Sequence, residues 1–160
     1  MIQQVEGDIL LSKAKLIVQG VAPQDHFNQG LALALRERWP AMAKDFRHYC
    51  HERHPKSGTI WVWAGPNQMI ANLLTQEAAE GSAGHPGKAD LSYVRKSLES
   101  LREFIQKEKI ESVAVPRLAT GVGGLEWKDV FPIIEEKLGD LKVSVYVYAT
   151  YHAGQQGKEV

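Results

Sequence analysis

The stretch "LSYVRKSLESLREFI" (91–105) constrains the fold of this chain more than any other. Leu91, Val94, Leu98, Leu101 and Ile105 recur at 3-4-3-4 spacing, which puts them on one continuous stripe of a helix. A helix with a single apolar face has to bury that face against another layer. The neighbouring segments are short and rich in apolar and β-branched residues, the composition of buried strands. Met69–Leu74 precedes the helix and 112–115 follows it.

The same alternation runs through the rest of the chain. "IQQVEG" reads as an opening strand and "KLIVQG" (15–20) as a short buried one. A helix from Gly30 is stopped by Pro40, and a second carries Met42, Phe46, Tyr49 and Cys50 on one face. "PKSG" (55–58) turns the chain into a strand over Thr59–Ala64, which pairs as a hairpin with Met69–Leu74. Residues 75–90 form one long loop. A final helix ends near Leu138, with Asp129 as its cap and Pro132 in its first turn, and strand 142–149 closes the fold. Strands alternating with helices define an α/β domain, a mixed sheet with helices on both faces. One domain is expected over residues 1–153, and 154–160 are expected to be a flexible tail.

Charge and cysteine content narrow the function classes. Nineteen Lys plus Arg balance nineteen Asp plus Glu, so no global field steers the chain to nucleic acid or membrane. The one cysteine, Cys50, excludes an internal disulfide and fits a reducing compartment. The opening "MIQQVEGDILLSK" is not a signal peptide, and no run approaches the roughly 18 apolar residues of a membrane span. A cytoplasmic monomer without membrane association or cofactor is expected.

"VPRLATGVGGLEW" (115–127) carries three glycines in four positions, between a buried strand and a helix. Backbone N–H groups bared in such a loop, ahead of a helix start, form a phosphate cradle; a tight strand-to-helix turn is the plainer alternative. The loop is not a Walker P-loop, because no Gly-Lys-Ser/Thr follows at the required spacing. In "GHPGKA" (84–89), Ala89 lacks the hydroxyl that magnesium needs. Its spacing is also wrong for the Rossmann fingerprint.

With "GDIL" (7–10), "NQGLALALRERWP" (28–40) and "NLLTQE" (72–77), this loop resembles the macrodomain family, which binds ADP-ribose. The nearest branch holds terminal ADP-ribose glycohydrolases and ADP-ribose 1″-phosphate phosphatases. The resemblance implies a three-layer fold, an adenine contact from Asp8 and a phosphate loop at 116–127. It implies hydrolysis at the distal ribose of an ADP-ribosylated protein or nucleic acid, or of ADP-ribose 1″-phosphate. A non-catalytic ADP-ribose reader is the alternative. The implied ligand contacts are Asp8, Ile9, Gly20, Val21, Asn28, Gly30, Leu31 and Thr75 from the first half of the chain. Leu118, Ala119, Thr120, Gly121, Val122, Gly123, Gly124 and Leu125 come from the loop, and Tyr151 could stack on adenine.

Two positions depart from that family. "QGVA" (19–22) replaces an Asn-Ala-Ala-Asn loop. The glycohydrolase branch's lysine and aspartate fall at Gln76 and Gly123. Neither borrowed mechanism transfers intact. Asp25 to orient water, His26 as general acid or base, and Gln76 remain as catalytic candidates. Glu77 and Thr120 stand behind them. "HYCHERH" (48–54) invites a metal reading, but its spacing is not His-Glu-x-x-His, and a solvated helical face explains it better. His85 has no evident metal partner, and no metal is expected.

Overall fold

The computed structural model of the chain describes residues 1–78 and 86–160. Six strands form one sheet: β1 (Ile2–Gly7), β2 (Leu16–Val21), β3 (Ile60–Ala64), β4 (Met69–Leu74), β5 (Ser112–Val115) and β6 (Ser144–Tyr151). Their order is β1-β6-β5-β2-β4-β3. Every neighbouring pair is parallel except β3 and β4, the hairpin expected from the sequence.

The helices are α1 (Gly30–Arg38), α2 (Pro40–Arg53), α3 (Leu91–Glu108) and α4 (Trp127–Leu138). Alternation along β2 assigns them to layers. Leu16 and Val18 pack with Val94, Leu98 and Leu101 of α3 and with Val130, Ile134 and Leu138 of α4. Ile17 points the other way, into a cluster with Leu35 of α1 and Met42, Phe46 and Cys50 of α2. A strand buried on both faces needs apolar residues at successive positions, which is why "LIV" shows no polar alternation. The result is the α/β sandwich of three layers that the periodicities imply. Among the described residues, no helix is long and apolar enough to cross a membrane.

Three expectations are corrected. Helix α4 has Glu126 at its N-cap position, without a side-chain capping bond, so Asp129 lies inside its first turn and Pro132 well inside the helix. Proline there removes one intrahelical donor, on the exposed side of the helix. The last strand runs to Tyr151 rather than ending before it. The segment 154–160, expected to fray, returns along β1 instead. Gln155 O accepts from Asp8 N at 2.7 Å, and Glu159 accepts from Lys13 N at 2.9 Å. The Tyr148 and Ser12 hydroxyls both donate to Glu159, each at 2.5 Å.

Parallel pairing places the carboxyl ends of β1, β2, β4, β5 and β6 on one edge of the sheet. The segments that leave this edge are 8–11, 22–29, 75–78, 116–126 and 152–154. In open α/β sheets this is where ligands bind.

Candidate functional site

Asp8 leaves β1 and caps a one-turn 3-10 helix, Ile9–Leu11. One carboxylate oxygen accepts from Leu10 N at 3.0 Å and the other from Gly154 N at 2.9 Å, and the residue is only 7% exposed. The cap reading and the ligand reading are compatible, because a carboxylate has about four lone-pair directions and two remain. Beside this turn, Ile9, Leu10, Leu31, Ala34, Tyr148 and Tyr151 surround a mostly apolar cavity of about 400 Å³. Tyr151 is 62% exposed at its mouth, a flat ring available for stacking.

A second cavity, about 270 Å³, lies between the end of β2 and the glycine loop. Gln19, Gly20, Asp25, Gln76, Leu118, Ala119, Thr120, Gly121, Val122 and Gly123 are in its wall. Gly30, Leu31, Pro116 and Arg117 border both cavities, so the two form one cleft along the sheet edge.

The loop is built to present its backbone. Ala119 adopts a left-handed φ of 61° and Gly124 one of 78°. Ala119 O then accepts from Leu125 N at 2.9 Å, and Gly121 O from Gly124 N at 3.1 Å, which closes the loop on itself. Among the described residues, no group accepts from the N–H groups of Ala119, Thr120, Gly121, Val122 or Gly123. Consecutive unpaired amides around a concavity suit an anion. Thr120 contributes less than its hydroxyl suggested, because Oγ1 already donates to Arg117 O at 2.9 Å. Its proton reaches a phosphate oxygen only if that bond breaks.

The catalytic candidates separate. Asp25 lines the cavity, its oxygens accepting from Ala22 N at 3.1 Å and Phe27 N at 2.9 Å. Burial pushes its carboxyl above the ordinary 3.8, against these two hydrogen bonds. His26, the next residue, is outside both cavity walls, and its carbonyl accepts from Arg36 at 3.0 Å. Asn28 is exposed and gives its side-chain oxygen to the same arginine at 2.9 Å. Gln76 does line the cavity but is 3% exposed, and its amide donates to Gly87 O at 2.9 Å. It is a strut for the loop ahead of α3. Val21 and Thr75 are buried, and they and Gly124 and Leu125 lie outside both cavity walls. Lys88 is exposed and outside both walls. His85 lies outside the described residues, among which no cluster of His, Cys, Asp or Glu could hold a metal.

Arg117 was missed by sequence reasoning. Its guanidinium sits 5.3 Å from the centre of the Trp127 ring and borders both cavities. It is the one cation among the described residues of the cleft wall. The signal was present as a basic residue just ahead of the glycines and an aromatic just after them.

The family profile for the Macro domain matches residues 24–134. The chain is 29% identical over 153 residues to a DNA ADP-ribosyl glycohydrolase of Thermus aquaticus, covering 92% of this chain and 41% of that protein. It is 31% identical over 135 residues to a DNA ADP-ribosyl glycohydrolase of Mycobacterium tuberculosis, covering 81% and 36%. The solved macrodomain of Thermus aquaticus DarG superposes with a TM-score of 0.82 at 28% identity, covering 93% of this chain and 98% of that one. The chain belongs to the macrodomain family. It spans about two fifths of the length of these curated relatives.

Proposed function

We propose that this domain hydrolyses the bond between the distal ribose of ADP-ribose and the group attached to it. Adenine occupies the apolar cavity beside Asp8 and Tyr151, the diphosphate meets the amides of 119–123, and the distal ribose reaches Asp25. Water attacks the anomeric carbon, Asp25 accepts its proton, and the departing group leaves with the bonding pair and takes up a proton. The observation that carries this reading is Asp25: it is the one carboxylate among the described residues of the cleft wall, held in place by two backbone amides. Burial also raises its basicity.

Relatives named as DNA ADP-ribosyl glycohydrolases favour a nucleic-acid conjugate as substrate. Release of phosphate from ADP-ribose 1″-phosphate is the same displacement with a smaller departing group. One observation favours a non-catalytic reader instead: Gln76, where the glycohydrolase branch has a lysine, is committed to Gly87 O.

Turnover of three substrates separates these readings: ADP-ribosylated oligonucleotide, ADP-ribosylated protein and the 1″-phosphate. The expected result is turnover of the oligonucleotide, lost in Asp25→Asn with ADP-ribose affinity retained. Because the base must be ionised, the acid limb of kcat/KM should lie above pH 3.8. Tight ADP-ribose binding without turnover of any of the three would establish the reader.

A further inference from the structure

The charges of this chain sum to zero, but they are not paired evenly over its surface. On the face formed by α3 and α4, cations meet carboxylates. Arg95 lies 2.5 Å from Glu136, Arg102 2.5 Å from Asp140, and Lys137 2.7 Å from Glu99. Across the sheet, α2 is arranged differently. At roughly 100° per residue, Lys44, Arg47, His48 and His51 share an arc about 100° wide, turned away from the buried Met42, Phe46 and Cys50. All four are exposed, and none makes an ion pair among the described residues.

The arc contains no carboxylate. The two acidic residues of α2 lie to one side of it, and Asp45 already accepts from the Trp63 indole at 2.9 Å. From Arg36 to Lys56 there are six Lys plus Arg, three Asp plus Glu and three of the chain's six histidines. A locally unpaired basic face on a neutral protein is the footprint of a polyanion.

Its position relates it to the cleft. The last turn of α2 is tied to the loop after β2, where the Gln24 side chain donates to Cys50 O at 3.3 Å. The next residue is Asp25, in the wall of the distal cavity. The C-terminal end of α2 is therefore joined to the loop that carries Asp25. Beside the basic face, Tyr49 and Trp61 stack with centroids 5.3 Å apart, half-buried in an open depression that His48 and Arg53 share with Asp45 and Glu52.

We propose that the exposed face of α2 is a docking surface for single-stranded nucleic acid. Lys44 and Arg47 would take backbone phosphates, with a base against the Tyr49–Trp61 pair. The inference rests on the ADP-ribosyl hydrolase reading of the cleft and names the surface that would carry the strand bearing the ADP-ribosyl group. Charge complementarity selects a polyanion, and the adjacent aromatic pair selects one with flat rings over an acidic peptide.

The test uses fluorescence anisotropy of a labelled, unmodified 12-nucleotide single strand. The double variant Lys44→Glu/Arg47→Glu is compared with Lys107→Glu/Lys142→Glu, a charge reversal elsewhere on the surface. Loss of two phosphate contacts should lower the slope of log K against log salt by about 1.4, and affinity at low salt by about tenfold. The control should stay within about twofold of the parent, and both variants should keep the parent's affinity for ADP-ribose. Three results would overturn the proposal: no strand binding by the parent, equal weakening by the control, or displacement of the strand by polyglutamate of equal charge at equal concentration. If the α2 variant loses strand binding as expected but the parent leaves an ADP-ribosylated oligonucleotide intact, the hydrolase reading fails and the docking surface stands.

Discussion

Asp8 ties the end of β1 to the turn after it, and on the adenine contact proposed above its replacement should disturb stability and ADP-ribose binding by separable amounts. Its carboxylate accepts from Leu10 N and Gly154 N while 7% exposed. A hydrogen bond to a charged acceptor contributes about 1.5 kcal/mol or more, so Asp8→Ala should cost about 3 kcal/mol of stability. For a domain this size that is a fall of about 6–12 °C in Tm. Asp8→Asn keeps one acceptor oxygen but turns an amide N–H₂ toward one of the two donors, so a loss of similar order is expected. Both variants can be melted by circular dichroism and then titrated with ADP-ribose by calorimetry well below their transitions.

Stability alone would not place Asp8 in the ligand site, so the ligand has to be varied as well. If the carboxylate accepts from the 6-amino group of adenine, the parent should prefer ADP-ribose to its hypoxanthine analogue, whose 6-position is a carbonyl, by about tenfold or more. In Asp8→Asn, whose side chain can donate, that preference should shrink or reverse. A Tm within 2 °C of the parent for Asp8→Ala would refute the structural part. An unchanged preference in a folded Asp8→Asn would refute the adenine contact.

Two further outcomes follow from the cleft. A Cβ at Gly121 meets nothing within 4 Å, whereas one at Gly123 would lie 2.7 Å from both Ala119 O and the Ala89 Cβ. Gly121→Val should therefore abolish ADP-ribose binding with Tm nearly unchanged, and Gly123→Val should lower Tm sharply; equal melting of the two would show that the loop is not held as described. With no lysine among the described residues of the cleft wall, borohydride added during turnover should trap no protein adduct detectable by mass spectrometry, and an adduct mapped to Lys88 would overturn the direct attack by water.

The order of strands and helices was legible because each carries a local pattern, a helical period or a short apolar run. The 3-4-3-4 stripe of α3 and the unbroken apolar run of β2 need no tertiary information to be read. That Asp25 lines the cavity while His26 does not was not legible. Gln24 and Phe27 both adopt left-handed φ values, 65° and 57°, so the chain reverses on either side of that pair. Gln and Phe give no warning of such a conformation, as glycine or asparagine would. The return of 154–160 along β1 was hidden for a related reason. A segment with two glycines and little apolar content looks frayed unless its partners are known, here Asp8, Ser12, Lys13 and Tyr148.

The absence of net charge bears on how the cleft would accept a diphosphate. A dianion needs compensating positive potential, yet the described cleft wall offers one cation, Arg117, and one carboxylate, Asp25. The remaining potential has to come from the five amides of 119–123, which have no acceptor among the described residues, and their presentation depends on Ala119 holding a left-handed φ. For a residue with a Cβ this conformation is strained. The Leu125 N to Ala119 O bond and the close seat of Gly123 hold it in place. Asp25 benefits from the same economy. With a single cation in the described wall, and that one held against Trp127, burial prevails over the two hydrogen bonds and the neighbouring His26, which lower its pKa. A cleft lined with lysines would bind phosphate as well, but it would also weaken the base at its far end.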